Sequence, residues 1–219
     1  MTTHAYSELY LNDAMCNLGD MLDFMVHDCG YNPDESFSWF ISSGIASAFE
    51  IGSPKYVSGM SGFELASEVI FCTHGFRPKL DVKPKGFKTP EYWAGWILAY
   101  YQWYRDLHFE KVITSGLAVS NVLSMYVLHE ADNSKFIEIA DSILLRNIAE
   151  APSPLKLIRL ARGYTQKELA NASGVSLRMI QLYEQRQNDI NKAQVTVIVR
   201  LARALGCEVD DLLDEIILP

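Results

Sequence analysis

Cysteine is scarce in this 219-residue sequence, and its few cysteines form no recognisable motif. No Cys-x-x-Cys pair is present, and each cysteine has an apolar, helical setting in which a free thiol behaves as a small hydrophobic side chain. We therefore expect a reduced, cytoplasmic protein. Two His/Cys pairs stand two positions apart, a spacing that points side chains in different directions on a helix, so we predict no metal site. The four cysteines are Cys16, Cys29, Cys72 and Cys207.

Long apolar runs and alternating polar patterns are missing as well. The apolar, uncharged run over residues 92–104 has 13 residues, whereas a membrane-spanning helix needs about 20. No basic start is followed by an apolar stretch, so we predict neither a signal peptide nor a membrane anchor. No segment alternates with a period of two over a useful length, which predicts an all-α protein with little or no β-sheet.

Catalytic signatures are also absent. The sequence contains no G-x-S-x-G, no phosphate-binding glycine loop, no H-E-x-x-H and no Rossmann glycine pattern. No nucleophile has an evident base, and the carboxylates of the first predicted helix are spread over a solvated face. We therefore predict that the protein is not an enzyme and binds no cofactor.

Charge is distributed unevenly along the chain. The net charge of −8 by itself argues against a nucleic-acid ligand. Residues 152–206, however, contain nine Lys and Arg against three Asp and Glu, whereas residues 1–151 contain ten against nineteen. The segment after residue 206 adds five acidic residues. A basic module on an acidic body is what binding to phosphate groups requires.

The basic module contains a pattern of two short helices joined by a tight turn, over residues 165–186. Thr165 and Glu168 stand three positions apart and can form a capping box at the start of the first helix. Gly174 stands at the turn, because a residue without a Cβ atom adopts a positive φ at little cost. Ser176 can cap the second helix. The pattern predicts a helix-turn-helix.

The flanking segments agree with this interpretation. An amphipathic helix precedes the motif and ends at Gly163, a second follows from Ala193 to Leu205, and a short acidic helix surrounds Leu212. With T-Q-x-E-L-A, G-V-S and I-x-x-Y-E between them, residues 154–214 resemble the Cro/lambda-repressor type (XRE family) DNA-binding domain. The resemblance implies a five-helix lambda-repressor-like domain, residues 154–219, that binds double-stranded DNA.

In such a motif the second helix enters the DNA major groove and its first turns contact base edges. The outward positions predict that Leu177 touches a thymine methyl group and that Arg178 binds a guanine in bidentate fashion. Gln181 or Leu182 would reach a neighbouring base. The alternative is that both leucines pack within the domain or against a dimer partner. The candidates for phosphate contacts are Thr165, Gln166, Gln185, Arg186, Asn191 and Lys192.

One departure from the family pattern concerns the end of the second helix. The family often has Asn-Gly after the Glu of this helix, whereas Gln185 and Arg186 occupy those places here. We therefore expect the helix to run longer and to turn at Asn188 and Asp189. Because one small module gives limited affinity, the resemblance also implies a homodimer that represses transcription from a two-fold symmetric operator.

Residues 1–150 are predicted to form a separate all-α regulatory or partner-binding domain, because prolines bracket a break at residues 150–154. Long helices are predicted over residues 6–29 and 32–49, and residues 55–60 are expected to be a loop. The fourth helix contains the densest aromatic cluster of the chain, which is either core or the lining of a ligand or partner site. The cluster comprises Trp93, Trp96, Tyr100 and Trp103.

The two-part layout resembles bacterial regulators of several kinds, and the sequence leaves them open. One is an antitoxin, in which residues 1–150 would bind a toxin while the other domain represses the operon. A second is a small-molecule-responsive repressor, for which the aromatic cluster would form the pocket. A third is a protein adaptor whose helix-turn-helix fold does not bind DNA.

Overall fold

The computed structural model describes residues 4–79 and 87–214, which form helices joined by loops and contain no strand. This confirms the all-α class. The chain divides into two compact units, one ending at Leu144 and the other beginning at Leu145. Because the division falls inside a helix, Asn133–Glu150, the limits 1–150 and 154–219 for separate domains stay a prediction.

The N-terminal unit combines long and short α-helices with 3-10 turns at Glu8–Tyr10 and Tyr126–Glu130. The last helix continues past the division of the chain. The helices are α1 (Leu11–His27), α2 (Pro33–Ser42), α3 (Ile45–Glu50), α4 (Pro54–Val57), α5 (Gly62–His74), α6 (Pro90–Arg105), α7 (Phe109–Thr114), α8 (Val119–Ser124) and α9 (Asn133–Glu150).

The core of this unit forms where α1 and α6 cross at very short range. A Cβ atom placed on Gly95 of α6 would lie 2.4 Å from the carbonyl oxygen of Leu18, and one on Gly19 would lie 2.9 Å from that of Tyr92. Glycine at both positions lets the two backbones touch, which no larger residue would permit. Helix α6 therefore has buried residues on most of its faces, in keeping with its almost uniformly apolar sequence.

Polar residues determine where the helices of this unit begin. Asn32 accepts hydrogen bonds from the backbone N–H groups of Asp34 and Glu35, at 2.9 and 3.3 Å, at the start of α2. Ser61 and Glu64 form a reciprocal capping box at the start of α5. Such caps satisfy N–H groups that have no partner within the helix.

Two sequence predictions for this unit were wrong. The helix predicted over residues 32–49 is two helices, α2 and α3, because the chain turns at Gly44 with a φ of 77°. The predicted loop at 55–60 begins with a helical turn, α4, in which Pro54 takes the first position. The first error arises because a stripe of apolar residues continues across the break. The second arises because a helical turn of four residues is too short to show a helical period.

The C-terminal unit contains four short helices beyond the end of α9. They pack around a single apolar cluster to which every helix contributes, including the buried Leu155, Leu169, Ile180 and Leu201. The fifth helix predicted for this unit is a 3-10 turn, Asp210–Leu212, and another such turn lies at Ile190–Lys192. The four helices are α10 (Pro154–Ala161), α11 (Gln166–Ser173), α12 (Leu177–Glu184) and α13 (Val195–Leu205).

Candidate nucleic-acid interface

Helices α11 and α12 form a helix-turn-helix in which each helix has its own cap. The N–H of Glu168 donates to Thr165 Oγ1 at 3.2 Å, while the N–H of Thr165 donates to Glu168 Oε2 at 2.8 Å. The N–H of Met179 donates to Ser176 Oγ at 3.3 Å, so that α12 starts at the predicted place. Between them Gly174 has a φ of 68°, the left-handed conformation that glycine adopts most cheaply.

The two faces of α12 differ in the way the sequence pattern indicated. Ile180 and Tyr183 are buried in the apolar cluster. On the other face Leu177 is 37% exposed, and Arg178 is exposed as well. Within the described ranges no hydrogen bond or ion pair holds the Arg178 guanidinium. The helix therefore presents an apolar and a cationic side chain side by side at its N-terminal end.

The two other predicted base-reading residues are less accessible. Gln181 and Leu182 are both half-buried. Half-burial is compatible with contact to a base edge, and equally with the alternative that Leu182 packs within the domain. The assignment of all four residues to base contacts remains a prediction.

A buried ion pair, which the sequence patterns did not reveal, fixes the far end of α12. Arg159 of α10 and Glu184 of α12 are 6% and 7% exposed. The guanidinium donates to the carboxylate through Nε at 2.5 Å and Nη2 at 3.0 Å. Its Nη1 also donates to the carbonyl oxygen of Tyr164, at 2.6 Å. The hydrogen bond with Glu184 raises the pKa of Arg159, which keeps the guanidinium charged.

This pair had a weak sequence signal. Arg159 stands four positions after the apolar Leu155 and therefore on the buried side of α10, where an unpaired charge is rare. Gln166 extends the network, since its Nε2 donates to Glu184 Oε2 at 2.8 Å. The predicted phosphate contact of Gln166 would thus come from a side chain that also braces α12.

The remaining phosphate candidates lie in two kinds of environment. Thr165 and Gln185 are exposed, and so is Lys192, which pairs with Asp189 at 3.1 Å on the surface. Such an exposed pair is weak, so Lys192 can exchange Asp189 for a phosphate. Arg186 and Asn191, in contrast, are half-buried and bonded within the unit.

The second helix does not run longer, contrary to our expectation. Helix α12 ends at Glu184, and Arg186 adopts a left-handed conformation with a φ of 51°. Arg186 thus takes the backbone conformation favoured by glycine, at the place where the family often has glycine. A left-handed non-glycine residue costs on the order of 1 kcal/mol, so contacts of its side chain must offset the strain.

Those contacts join the turn after α12 to the end of the described chain. Arg186 donates to Asp214 Oδ1 through Nε at 3.1 Å and through Nη2 at 2.9 Å. Its Nη1 also donates to the carbonyl oxygen of Ala151. Asn191 Nδ2 donates to the carbonyl oxygen of Asp214 at 2.5 Å. We call this set, Ala151, Arg186, Asn191 and Asp214, the Arg186 clamp.

The four residues of the aromatic cluster of α6 differ in burial. Trp93 is buried, with its ring edge-on to Tyr126 and Phe136. Trp103 is buried too, and its indole N–H donates to the carbonyl oxygen of Tyr6 at 2.8 Å. Trp96 and Tyr100 are half-buried.

None of the four cluster residues lines either of the two cavities described in this unit, which measure about 480 and 440 Å³. The described ranges contain no group of three or more His, Cys, Asp or Glu side chains able to hold a metal ion. None of the helices in those ranges has the combination of length and apolarity that a bilayer span requires.

Comparison with known proteins assigns a family to part of the chain. The family described as helix-turn-helix matches residues 155–212, about a quarter of the sequence. No curated protein and no solved structure was found to match the chain. The matched segment contains the capped pair α11 and α12 and the apolar cluster around it. By its fold and by this match, the segment belongs to the Cro/C1-type helix-turn-helix domains of the XRE family, which are DNA-binding domains.

Proposed function

We propose that the protein is a sequence-specific transcriptional regulator whose helix α12 lies in the DNA major groove. The observation that carries this proposal is the exposed N-terminal end of α12, where Leu177 stands beside the uncommitted Arg178. The opposite face is anchored by Ile180 and Glu184, so the helix is rigidly presented. A reading helix needs both properties, because base contacts specify only when their geometry is held.

Each reading side chain suits a particular base feature. The guanidinium of Arg178 matches the O6 and N7 acceptors of guanine, and Leu177 matches the methyl group of thymine. Gln181 and Leu182 would contact the next base pair. The exposed Thr165, Gln185 and Lys192, with Gln166, would hold the DNA backbone and set the register of the helix.

We further propose that the protein binds as a homodimer and acts as a repressor. A single module of this size buries limited surface on DNA, and two modules related by a two-fold axis double the contact. The half-sites would then be centred about 34 Å, or one helical turn, apart. A repressor acts by occupying its operator, which requires no chemistry, and we propose no enzymatic activity for the chain.

A second candidate function, binding of a protein partner by the N-terminal unit, is supported by exposed apolar side chains. Leu9 is 88% exposed and Ile51 is 73% exposed. Their segments approach each other where Tyr6 lies against Gly52. Ten basic against nineteen acidic residues in 1–151 favour a basic partner, as the antitoxin alternative requires. Trp93 and Trp103 are buried, which leaves only Trp96 and Tyr100 of the aromatic cluster partly accessible to the ligand of the small-molecule alternative.

Selection of duplex DNA from a randomised pool tests the proposed function directly. The full chain should enrich a two-fold symmetric sequence, with an affinity that falls steeply with salt. A variant with Leu177→Ala and Arg178→Ala should lose the enrichment, whereas Lys135→Ala, an exposed change on α9, should not. A chain that enriches nothing and has no salt-dependent affinity for duplex DNA would instead favour the adaptor alternative.

A further inference from the structure

The end of the described chain is acidic. Its Leu212 is buried in the apolar cluster of the domain, and its last carboxylate binds the turn after α12. Residues 207–214 contain Glu208, Asp210, Asp211 and Asp214 and no basic residue. Of these four, Asp214 binds Arg186 through two N–H groups and accepts from Asn191 at its backbone oxygen. The side chains of Arg186 and Asp214 are only 22% and 20% exposed, so water and salt screen this pair less than a surface pair.

Arg186 and Asn191 are also two of the residues predicted to contact the DNA backbone. A carboxylate and a phosphate present the same chemistry to an arginine, which is negative charge with oxygens spaced for a bidentate grip. In the clamp, Nε and Nη2, which form one edge of the guanidinium, donate hydrogen bonds to Asp214, and Nη1 donates to the carbonyl oxygen of Ala151. The same edge of Arg186 cannot hold a phosphate until Asp214 leaves it.

Two features of the clamp lower the cost of opening it. Arg186 is held in a left-handed conformation with a φ of 51°. The side-chain oxygen of Asn191 is buried without a hydrogen-bond partner among the described residues. A buried acceptor without a partner has lost its hydration and gained nothing in return. Opening would return this oxygen to water or give it a new donor.

We propose that Asp214 is an internal competitor of the DNA backbone, an autoinhibitory contact that holds Arg186 and Asn191 away from phosphate. The proposal rests on the proposed function, since it presupposes that this domain binds DNA. Loss of the Asp214 charge frees both side chains and tightens binding to any duplex. The effect is independent of base sequence, because phosphate contacts carry no sequence information.

The test compares Asp214→Asn with Asp210→Asn in the full chain. Both remove one negative charge from the same segment, but Asp210 is exposed and makes no ion pair within the described ranges. Against Asp210→Asn, Asp214→Asn should bind a fixed 30-base-pair duplex about threefold to tenfold more tightly. It should also steepen the slope of log K against log salt concentration by about 0.9 for each new phosphate contact.

A second pair of variants separates competition from a change of overall charge. Arg186→Gln in the wild-type chain should change affinity by less than about twofold, because Asp214 already occupies Arg186. In the Asp214→Asn chain the same change should remove most of the gain. Equal effects of Arg186→Gln in both chains would overturn the proposal. All affinities are measured below the lowest melting temperature of the set.

If wild type binds DNA but Asp214→Asn and Asp210→Asn are equal, the autoinhibition alone fails. If neither wild type nor Asp214→Asn binds any duplex at low salt, the proposed function fails with it.

Discussion

The two units of this protein hold their helices together by different means. In the N-terminal unit, helices of 17 and 16 residues, α1 and α6, meet through Gly19 and Gly95 in an apolar core. In the C-terminal unit, α10, α11 and α12 have eight residues each, a length that is marginal for an isolated helix. They depend on caps, a buried ion pair and one shared apolar cluster. The caps of the short helices can therefore be recognised in the sequence, whereas the close crossing of the long helices cannot.

Tryptophan makes the two units separately measurable. All four tryptophans, Trp39, Trp93, Trp96 and Trp103, lie in the N-terminal unit. Unfolding followed by tryptophan fluorescence therefore reports that unit alone, whereas far-ultraviolet circular dichroism reports the helices of both. The predictions below use this difference, from the largest expected effect to the smallest.

Breaking the buried ion pair should have the largest effect, and only on the C-terminal unit. Glu184→Leu leaves the Arg159 charge buried without its partner, which should lower the free energy of unfolding by about 3–5 kcal/mol. Circular dichroism should show early loss of part of the helix signal, while the tryptophan transition stays in place.

The double variant Arg159→Met, Glu184→Leu is the matched control for this experiment. It replaces the pair by apolar side chains of similar size and should recover most of the lost stability. If the double variant is no more stable than Glu184→Leu, the ion pair stabilises the fold by more than the neutralisation of one buried charge by the other. A single variant within about 0.5 kcal/mol of wild type would contradict the importance of the pair altogether.

Gly95→Ala should destabilise the N-terminal unit by about 3 kcal/mol, because its Cβ atom would stand 2.4 Å from the backbone oxygen of Leu18. Neither backbone can move without opening the α1–α6 crossing. Urea unfolding followed by tryptophan fluorescence measures the effect.

Gly30→Ala separates this clash from ordinary glycine strain. Gly30 has a φ of 76° and open space around its Cβ position, so alanine there should cost only about 1 kcal/mol. Equal losses for Gly30→Ala and Gly95→Ala would mean that the close crossing of α1 and α6 is not what limits the core.

Arg178→Ala should lower discrimination at one base pair of the selected operator by about 1–3 kcal/mol, with little loss on unrelated DNA. Lys192→Ala should instead weaken binding to all sequences and reduce the salt slope by about 0.9. Competition binding with single-base operator variants measures the first effect, and a salt titration measures the second. An unchanged base preference for Arg178→Ala would remove Arg178 from the reading residues.

The two capping boxes should give the smallest effects, and they compare the units directly. Ser61→Ala in α5 and Thr165→Ala in α11 each remove one cap of the same design, at a cost of about 1 kcal/mol. Ser61→Ala should shift the tryptophan transition, and Thr165→Ala should leave it unchanged. A shift for Thr165→Ala would show that the units do not unfold independently.

The same boxes predict a pH dependence. Hydrogen bonds from the backbone N–H groups of Ser61 and Thr165, and then from their hydroxyl groups, hold the pKa values of Glu64 and Glu168 below their usual range. A lowered pKa in the folded state contributes stability that is present above the unfolded value, about 4.3, and is lost as the pH falls through the folded value. The two alanine variants lose the hydroxyl groups but keep the backbone N–H groups, so their stability should fall slightly less than that of wild type between pH 6 and pH 3.

Much of the site could be predicted because its signals are local. Thr165, Gly174 and Ser176 act on neighbours three positions away or fewer, so their roles follow from the order of residues alone. The error at Arg186 is instructive. The sequence shows a residue where the family often has glycine, but not that an aspartate 28 positions later would hold it in glycine's conformation.

The sequence by itself determined the all-α class, the helix starts at Asn32, Ser61, Thr165 and Ser176, and the family of residues 155–212. Helix caps and amphipathic stripes involve residues that are close together in the chain, so the order of residues is enough to predict them. Only the tertiary structure decided that Arg159 meets Glu184, that Asp214 occupies Arg186, and that Trp93 and Trp103 of α6 are buried. Those outcomes depend on which distant residues are brought together, and that is settled when the helices pack.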